Sequence, residues 1–542
     1  MNYTGFLNVY KEKGMTSMSV CARIRRILHV DKTGHAGTLD PMAEGVLPVA
    51  LGRATKSVSE VGDGTKTYEA GLLLGITTDT EDITGKVLSR YSGSLPSGEE
   101  IRKAISSFVG GYDQLTPMYS ARQVDGRRLY DIARSGEEVE RPRKRIEIRD
   151  IVITEVNPPH VKFTVTCSKG TYIRTLCSDI GELLSCGACM ESLRRTAVGD
   201  FTAEDALSFS DIEKLYEEGR IDEAIRVVTP TAVAIGKFDG THIGHRALLR
   251  ELRKAAEKHR LRSLVLIIEP EGKTVQEKEE RRETLLSLGI DYVIELPLTD
   301  QMMHMSAEDF MTEILIKKLS MKYLVGGKDI SFGYQKRGNE EFLRTHAAEY
   351  GFHFRLIEKV ELAESEDREL SSTRLRKELF SGNMETVTRI MGRPYAVTGT
   401  VTRGNHIGTD ILGIPTVNVP VPEGMETPPY GVYAVRVTVF GKEDKNVRND
   451  HTAPKGKNAE KYDGICNLGV KPTVPGENPL GLESFLFAEP GQVPELYDRT
   501  VKTELLHFIR AEKKFPDFSS LEKELREKDI PAAVSFFEKS EN

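Results

Sequence analysis

The stretch GHAGTLDPMAEGVLP (34–48) sets Asp40 among small residues and leucines, with Pro41 directly behind it. An aspartate before proline can stabilise a turn or cap a helix. It can also be a carboxylate nucleophile, dividing one difficult bond exchange into two easier steps. A second stretch, IGKFDGTHIGHRALL (235–249), places His242 and His245 around a glycine, after a strand-like run and at the start of a helical one. Lone histidines are usually structural. This pair suits an ATP phosphate site, because the first N–H groups of a helix are free to meet an anion. Glu483 in GLESFLF (481–487) reads on spacing alone as an exposed strand glutamate. CGAC (186–189) has the spacing of half a zinc site but no second pair, so both cysteines read as structural.

These residues need more than one scaffold. A chain of 542 residues exceeds what one core supports and predicts several domains. With 39% hydrophobic and 29% charged residues the composition is that of a globular protein, which excludes a disordered chain. No apolar run approaches the roughly 18 residues of a membrane span. The N-terminus carries no signal-like pattern, and six irregularly spaced cysteines do not form a disulfide framework. The expectation is a cytoplasmic protein with reduced thiols. The net charge of −7 hides an asymmetry, since residues 1–200 hold 27 Lys+Arg against 25 Asp+Glu. Basic clusters at 23–26, 122–128 and 141–145 read as solvated faces or as contacts to a polyanion.

Three patterns follow one another along the chain. The first is mixed: Val20, Ile24, Ile27 and Leu28 share a helical face, 65–75 and 161–167 read as strands, and 171–184 as a helix. From Thr231, short apolar strands (TAVAIGKF, SLVLII, DYVIEL, KYLVGG) alternate with helical stretches, one of them capped by Ser306. That alternation predicts a parallel, doubly wound sheet with a nucleotide at its switch point. After Pro394, strands such as GVYAVRVTVF (431–440) predict a small barrel, with Tyr433, Val435, Val437 and Val439 facing one way and Arg436 and Thr438 the other. A polar loop is expected over 442–461 and a closing helix near 519–527. The fold class is therefore multidomain: an α+β domain over 1–228, an α/β Rossmann-like domain over 229–393, and a small β-barrel domain over 394–542.

Several separated motifs in the first part, KEKGMTS, GHAGTLDPMAEGVLPVALGRATK, KTYEAGLLLGITTDTEDITG, CSKGTYIRTL and LRRTAVGDF, together resemble the TruB family of tRNA pseudouridine synthases. The resemblance implies that Asp40 is the catalytic aspartate, with no cofactor needed. It implies that Tyr68 stacks on the target base and is a candidate for proton transfer, and that Arg174 pairs with the aspartate. His35 would lie beside a flipped nucleotide and Lys11 near the active-site entrance. Glu44 inherits no role and reads as a solvated surface residue. The basic clusters gain a use on the phosphate backbone of tRNA. Glu12 stands where the family usually has proline. Members also carry a further C-terminal RNA-contacting domain, whereas here another enzyme begins soon after EEGRIDEAIRVVTP.

IGKFDG, THIGH and SSTRLRKEL (371–379) resemble the adenylyltransferase half of the RibF family of bifunctional riboflavin kinase/FAD synthetases. That implies His242 and His245 stabilise charge as AMP passes from ATP to FMN. Ser371, Ser372, Thr373 and Arg376 would bind phosphate, and Asp239 and Asp329 would be further nucleotide-site residues. Lys237 replaces the usual asparagine, and Glu271 replaces the histidine of a PHP segment. RGNHIGTDILGIPTVNV (403–419), GICNLGVKPT and RAEKKF resemble the riboflavin kinase half. Its Gly404, Gly408 and Gly413 would let the backbone close on phosphates. Thr416 and Asn418 would hold Mg²⁺ and ATP phosphate, and Glu483 would be the general base for the riboflavin hydroxyl. The expected activities are uridine isomerisation in tRNA, riboflavin phosphorylation and FMN adenylylation, with riboflavin, FMN, ATP and tRNA as partners and no membrane or obligate protein partner. Rival readings give the flavin half kinase activity alone, make it a non-catalytic flavin- or nucleotide-binding accessory, or make the whole chain a structural RNA-binding protein.

Overall fold

The structure of the protein is a computed structural model. It describes all residues except 1–2, 63, 121, 125, 136–138, 270–271, 359–370, 403–415, 441–458, 471–479, 489–495 and 542. The chain divides into two compact units, one over Tyr3–Thr229 and the other over Pro230–Asn542. No helix among the described residues is long and apolar enough to cross a membrane.

The Tyr3–Thr229 unit is built on a mixed sheet. Its strands run in the order Gly5–Lys11, Glu44–Leu51, Ala188–Val198, Lys66–Leu74, His160–Cys167, Arg143–Asn157 and Gly110–Leu115. Only the pairing of Ala188–Val198 with Glu44–Leu51 is parallel along this path. The first helix, Ser17–Leu28, begins where the Thr16 hydroxyl accepts from the Ser19 amide and ends at His29 in the left-handed region. It buries Ser17, Val20, Cys21, Ile24 and Leu28, while Ile27 is only half-buried. The stripe is thus rotated slightly from the expected face, and its Ser17 hydroxyl bonds to the backbone of Leu39.

Register places functional residues side by side. Lys11 pairs with Gly45, Gly45 with Arg195, Arg195 with Tyr68 and Tyr68 with Val165. Gly45 has a φ of +110°, and a Cβ there would lie 2.2 Å from the Arg195 carbonyl oxygen. Only glycine lets the two strands approach at this point.

In the Pro230–Asn542 unit, five parallel strands run in the order Tyr292–Pro297, Arg262–Glu269, Thr231–Gly236, Met321–Gly327 and His353–Ile357. The run SLVLII is continuous rather than alternating because Leu264, Val265, Leu266 and Ile267 are all buried, as in a parallel sheet covered on both faces. The chain steps outward from Thr231–Gly236 in one direction, then returns to the other side at Met321–Gly327. The reversal opens a crevice at the carboxyl ends of the strands.

The remaining residues form a curled antiparallel sheet, ordered Tyr395–Thr400, Thr500–Ala511, Gly431–Val439, Glu460–Val470, Leu480–Leu486 and Thr416–Pro420. It curls until the Thr402 amide, just past one end strand, donates to the Asn418 carbonyl of the other at 2.9 Å. Tyr433, Val435, Val437 and Val439 enter the main core as expected. The other face is not simply polar, since Val432 and Ala434 pack with Leu525 and Ala533. Thr438 is buried as well, and Arg436 pairs with Asp463 at 2.7 Å. The cover comes from a C-terminal helical segment that runs through Phe518–Glu524, Leu525–Asp529 and Ile530–Glu541, well past the expected 519–527. Most of the loop expected over 442–461 lies outside the described residues.

Gly45→Ala is expected to destabilise the first unit by about 3 kcal/mol or more, through its positive φ and the clash with the Arg195 backbone. A thermal melt of that variant against the native chain checks this.

Candidate active sites

The loop carrying Asp40 is held by its carbonyl groups. Arg195, fully buried, donates from Nε to Val46 O at 2.7 Å, from Nη2 to Gly37 O at 3.1 Å and from Nη1 to Thr38 O at 3.3 Å. The Ser17 hydroxyl donates to Leu39 O at 3.1 Å and accepts from the Leu39 amide at 2.9 Å. Lys11 Nζ donates to Ala43 O at 2.6 Å, Glu12 O at 3.0 Å and Pro41 O at 3.4 Å. Lys11 is therefore not at an entrance. It is fully buried, and burial pushes its ammonium down to about 8, with the nearby Asp40 opposing that shift.

Asp40 itself remains accessible, its side chain 34% exposed, and faces Arg174 Nε at 2.8 Å. Arg174 lies in the first turn of the helix Ile173–Leu183. Gln114 pins that helix by accepting from the Tyr172 amide at 2.8 Å and donating to its carbonyl at 3.0 Å. The other guanidinium edges donate to Thr80 O and Tyr119 O, both at 3.0 Å, and buried Asp82 stands 3.8 Å away. A planar fork with every edge occupied fixes the direction from which it meets Asp40. Tyr68 is buried beside Arg195, and burial pushes its phenol up to about 12, so it is protonated at neutral pH. His35 is half-buried, its Nδ1 has no partner among the described residues, and burial followed by Arg195 lowers its pKa.

Arg195, Ser17 and Asp82 carry this site and were not singled out from the sequence. Arg195 had a signal: it stands two residues after Leu193 on the buried side of a strand, where a charge needs an explanation.

A cavity of about 830 Å³ opens at the carboxyl ends of the parallel strands. His242, His245, Asp329, Ser371 and Ser372 line it, as does Lys237. His242 caps the helix Ile243–His259, and its Nδ1 accepts from the His245 amide at 3.3 Å. That bond leaves the other ring nitrogen as the N–H donor. The two rings stack at 3.6 Å with Phe238 against His245 at 4.9 Å. Burial pushes His242 down to about 4 and His245 well below its usual value, so both are neutral at pH 7. The turn before them places Phe238 at φ 49° and β-branched Thr241 at φ 41°, strain of the kind that accompanies sites requiring a fixed backbone. Thr373 is exposed and outside the cavity lining. Asp239 and Arg376 do not line it either. They pair with each other at 2.6 Å, because the Asp239 carboxylate is drawn inward by the amides of Val275 and Gln276. Glu271 lies outside the described residues.

On the curled sheet, Asn418 pairs with Glu483 and Glu483 with Asn467, so three polar side chains stand in one row across three strands. Val417, Val419 and Leu482, on the alternate positions, point into the core. Thr416 is two residues from Asn418 on the same side of its strand. This row offers the oxygen donors that suit a hard divalent cation. Gly404, Gly408 and Gly413 lie outside the described residues. Cys186 and Cys189 are buried free thiols.

Comparison with known proteins gives a family to each of the segments that carry these sites. Residues 25–173 match the TruB family pseudouridylate synthase N-terminal domain, and 174–235 the tRNA pseudouridylate synthase B C-terminal domain. Residues 225–374 match FAD synthetase and 391–537 riboflavin kinase. The tRNA pseudouridine synthase B of Alkaliphilus oremlandii is 49% identical over 211 residues, covering 39% of this chain and 70% of that protein. Its counterpart in Clostridium tetani is 46% identical over 239 residues, covering 44% of this chain and 80% of that protein. A crystal structure described as a macrolide-efflux protein from Streptococcus pneumoniae covers 57% of this chain and 95% of its own at 25% identity, with a TM-score of 0.47 that supports no further argument. The chain belongs to the TruB family of tRNA pseudouridine synthases and continues into FAD synthetase and riboflavin kinase domains. It is an isomerase joined to two transferases, and the flavin domains imply use of ATP. The C-terminal domain match runs through EEGRIDEAIRVVTP, the stretch where the sequence reading ends the synthase part.

The buried, neutral His242 makes stability pH-dependent. Its folded pKa is depressed to about 4, so between pH 6.5 and 4 the unfolded chain binds more protons. Stability present above pH 6.5 is lost as pH falls through that window, by about 3 kcal/mol at most from this group. Melting of the native chain and of His242→Asn at pH 7 and pH 5 is expected to show a smaller drop for the variant.

Proposed function

We propose that Asp40 is the nucleophile for isomerising a T-loop uridine of tRNA, and that the observation carrying this is its 2.8 Å pairing with Arg174. The pair aims the carboxylate while one side stays open to a flipped nucleotide. The N-glycosidic bond breaks, the base turns, and it rejoins through carbon, with the carboxylate dividing the exchange into two steps. Tyr68 stacks on the base, and its phenol, protonated at neutral pH, gives a proton to the freed ring nitrogen and takes back the one that leaves the carbon on rejoining. The cationic clusters at 23–26, 122–128 and 141–145 meet the RNA backbone.

In the flavin portion, a Rossmann-like domain over 229–393 transfers AMP to FMN and a barrel domain over 394–542 phosphorylates riboflavin, following the synthase domain over 1–228. The neutral His242 and His245 donate hydrogen bonds to the phosphate that gains charge in adenylyl transfer, and Ser371 and Ser372 hold neighbouring phosphate oxygens. Glu483 takes the proton from the riboflavin hydroxyl. Thr416 and Asn418 would hold Mg²⁺, which when bound neutralises phosphate charge. Six free thiols and a tRNA substrate suit the cytoplasm.

Each activity has its own test on the full-length chain. Asp40→Asn is expected to reduce uridine conversion to background and leave FMN and FAD formation unchanged. Arg174→Lys keeps the charge but loses the fork, and is expected to lower conversion by about 10²-fold. Glu483→Gln should lower FMN formation from riboflavin, ATP and Mg²⁺ by about 10²-fold or more, while FMN supplied directly still becomes FAD. Uridine conversion by Asp40→Asn at the native rate would remove the proposed nucleophile.

A further inference from the structure

Arg376 belongs to the motif expected to meet ATP phosphates, yet its guanidinium lies outside the cavity that Ser371 and Ser372 line. It is held between two carboxylates. Nη2 donates to Asp239 Oδ2 at 2.6 Å, and Nε donates to Glu426 Oε2 at 2.8 Å and Oε1 at 3.0 Å. Asp239 is 3% exposed at its side chain and Glu426 14%, so both ion pairs are screened little by water.

The two carboxylates come from different functional segments. Asp239 lies in the segment matched by FAD synthetase and Glu426 in the one matched by riboflavin kinase. The backbone around Glu426 is fixed from both sides. Its amide donates to Thr274 O at 2.7 Å, the Thr274 amide donates to Gly424 O at 2.9 Å, and the Glu426 carbonyl accepts from the Tyr395 hydroxyl at 2.8 Å. The neighbouring amides of Val275 and Gln276 are the ones that hold Asp239, at 2.9 and 3.3 Å. One short crossing of chain therefore anchors both acids that grip Arg376.

Arg376 in turn ties together two walls of the cavity. Asp239 opens the strained turn that ends at His242, and its neighbour Phe238 packs on the His245 ring. Arg376 sits one helical turn beyond Ser372 on the helix Ser372–Ser381. The distance between the histidine pair and the serine-bearing helix end is thus set through this guanidinium. Asp239 alone would occupy one edge of it, and Glu426 fixes the other, which stops the helix from pivoting about a single contact.

We infer that Glu426, a residue of the riboflavin kinase segment, is a positioning residue for FMN adenylylation. The kinase segment completes the geometry of the adenylyl-transfer site rather than merely following it in the chain. This rests on the reading of the cavity as the place where AMP is transferred.

The test is made on the full-length chain, with initial rates measured separately for riboflavin plus ATP giving FMN and for FMN plus ATP giving FAD. Glu426→Gln keeps the shape and removes the charge. It is expected to lower kcat for FAD formation by about tenfold or more, with the KM values for ATP and FMN within about threefold, because misplaced walls fail together in the transition state. FMN formation, which depends on the same sheet, should stay within about twofold and reports that the kinase segment is folded. Glu426→Asp should restore part of the lost rate. Arg376→Gln should lower the same kcat, and the double variant should be no slower than Arg376→Gln alone, since the two side chains act as one unit. Unchanged FAD formation by Glu426→Gln, losses that add in the double variant, or a parallel fall in FMN formation would each overturn the inference. A native chain that forms FMN and no FAD would overturn the reading of the cavity and the inference together. That result is seen before any variant is made.

Discussion

A buried guanidinium must be answered by acceptors, and in the first unit the acceptors of Arg195 include the carbonyls of the loop that carries Asp40. Lys11 does the same for the residues just past Asp40, and Ser17 for Leu39 just before it. Lys11 and Arg195 share one register row, made possible by Gly45, which lets the strand bearing Arg195 come close. The loop has little regular structure of its own, so its shape depends on these donors. Arg174 then meets a carboxylate that is already in place, and one side of Asp40 stays open.

The flavin unit uses the same device for a different purpose. Arg376 is a partly buried cation whose acceptors lie on separate segments of the chain, so satisfying it fixes how those segments meet. The histidine pair depends on a turn that is strained at Phe238 and Thr241 and persists because Asp239 is gripped from two directions. Burial keeps both rings neutral at pH 7.

Much of this was legible in the sequence, for identifiable reasons. The strand Arg262–Glu269 and its parallel neighbours follow from short apolar runs alternating with helical stretches, a local signal. His242 and His245 were legible because a strand-to-helix turn gives two histidines a specific use. Asp40 and Arg174 were legible through the resemblance of their surrounding motifs, not through spacing. The misplaced residues share a cause. Lys11, Asp239 and Arg376 were assigned by what they could bind, while the structure assigns them to partners far away in the chain. The second buried face of Gly431–Val439 was hidden because its cover arrives from the C-terminal helical segment, and strand alternation reports only local pattern. Arg195 was the readable omission, a charge on the buried side of a strand.

Buried cations shape the loop that carries Asp40, and Arg195→Met removes the one with the most contacts to it. Methionine fills much of the same volume without donating to Gly37, Thr38 or Val46. Single-turnover conversion of tRNA uridine should be measured at a temperature where the variant still melts cooperatively and still binds tRNA. A fall of about 10²-fold or more in the conversion rate is expected, with FMN and FAD formation unchanged. Conversion at the native rate in that folded, tRNA-binding variant would contradict it and leave Asp40 positioned by some other means.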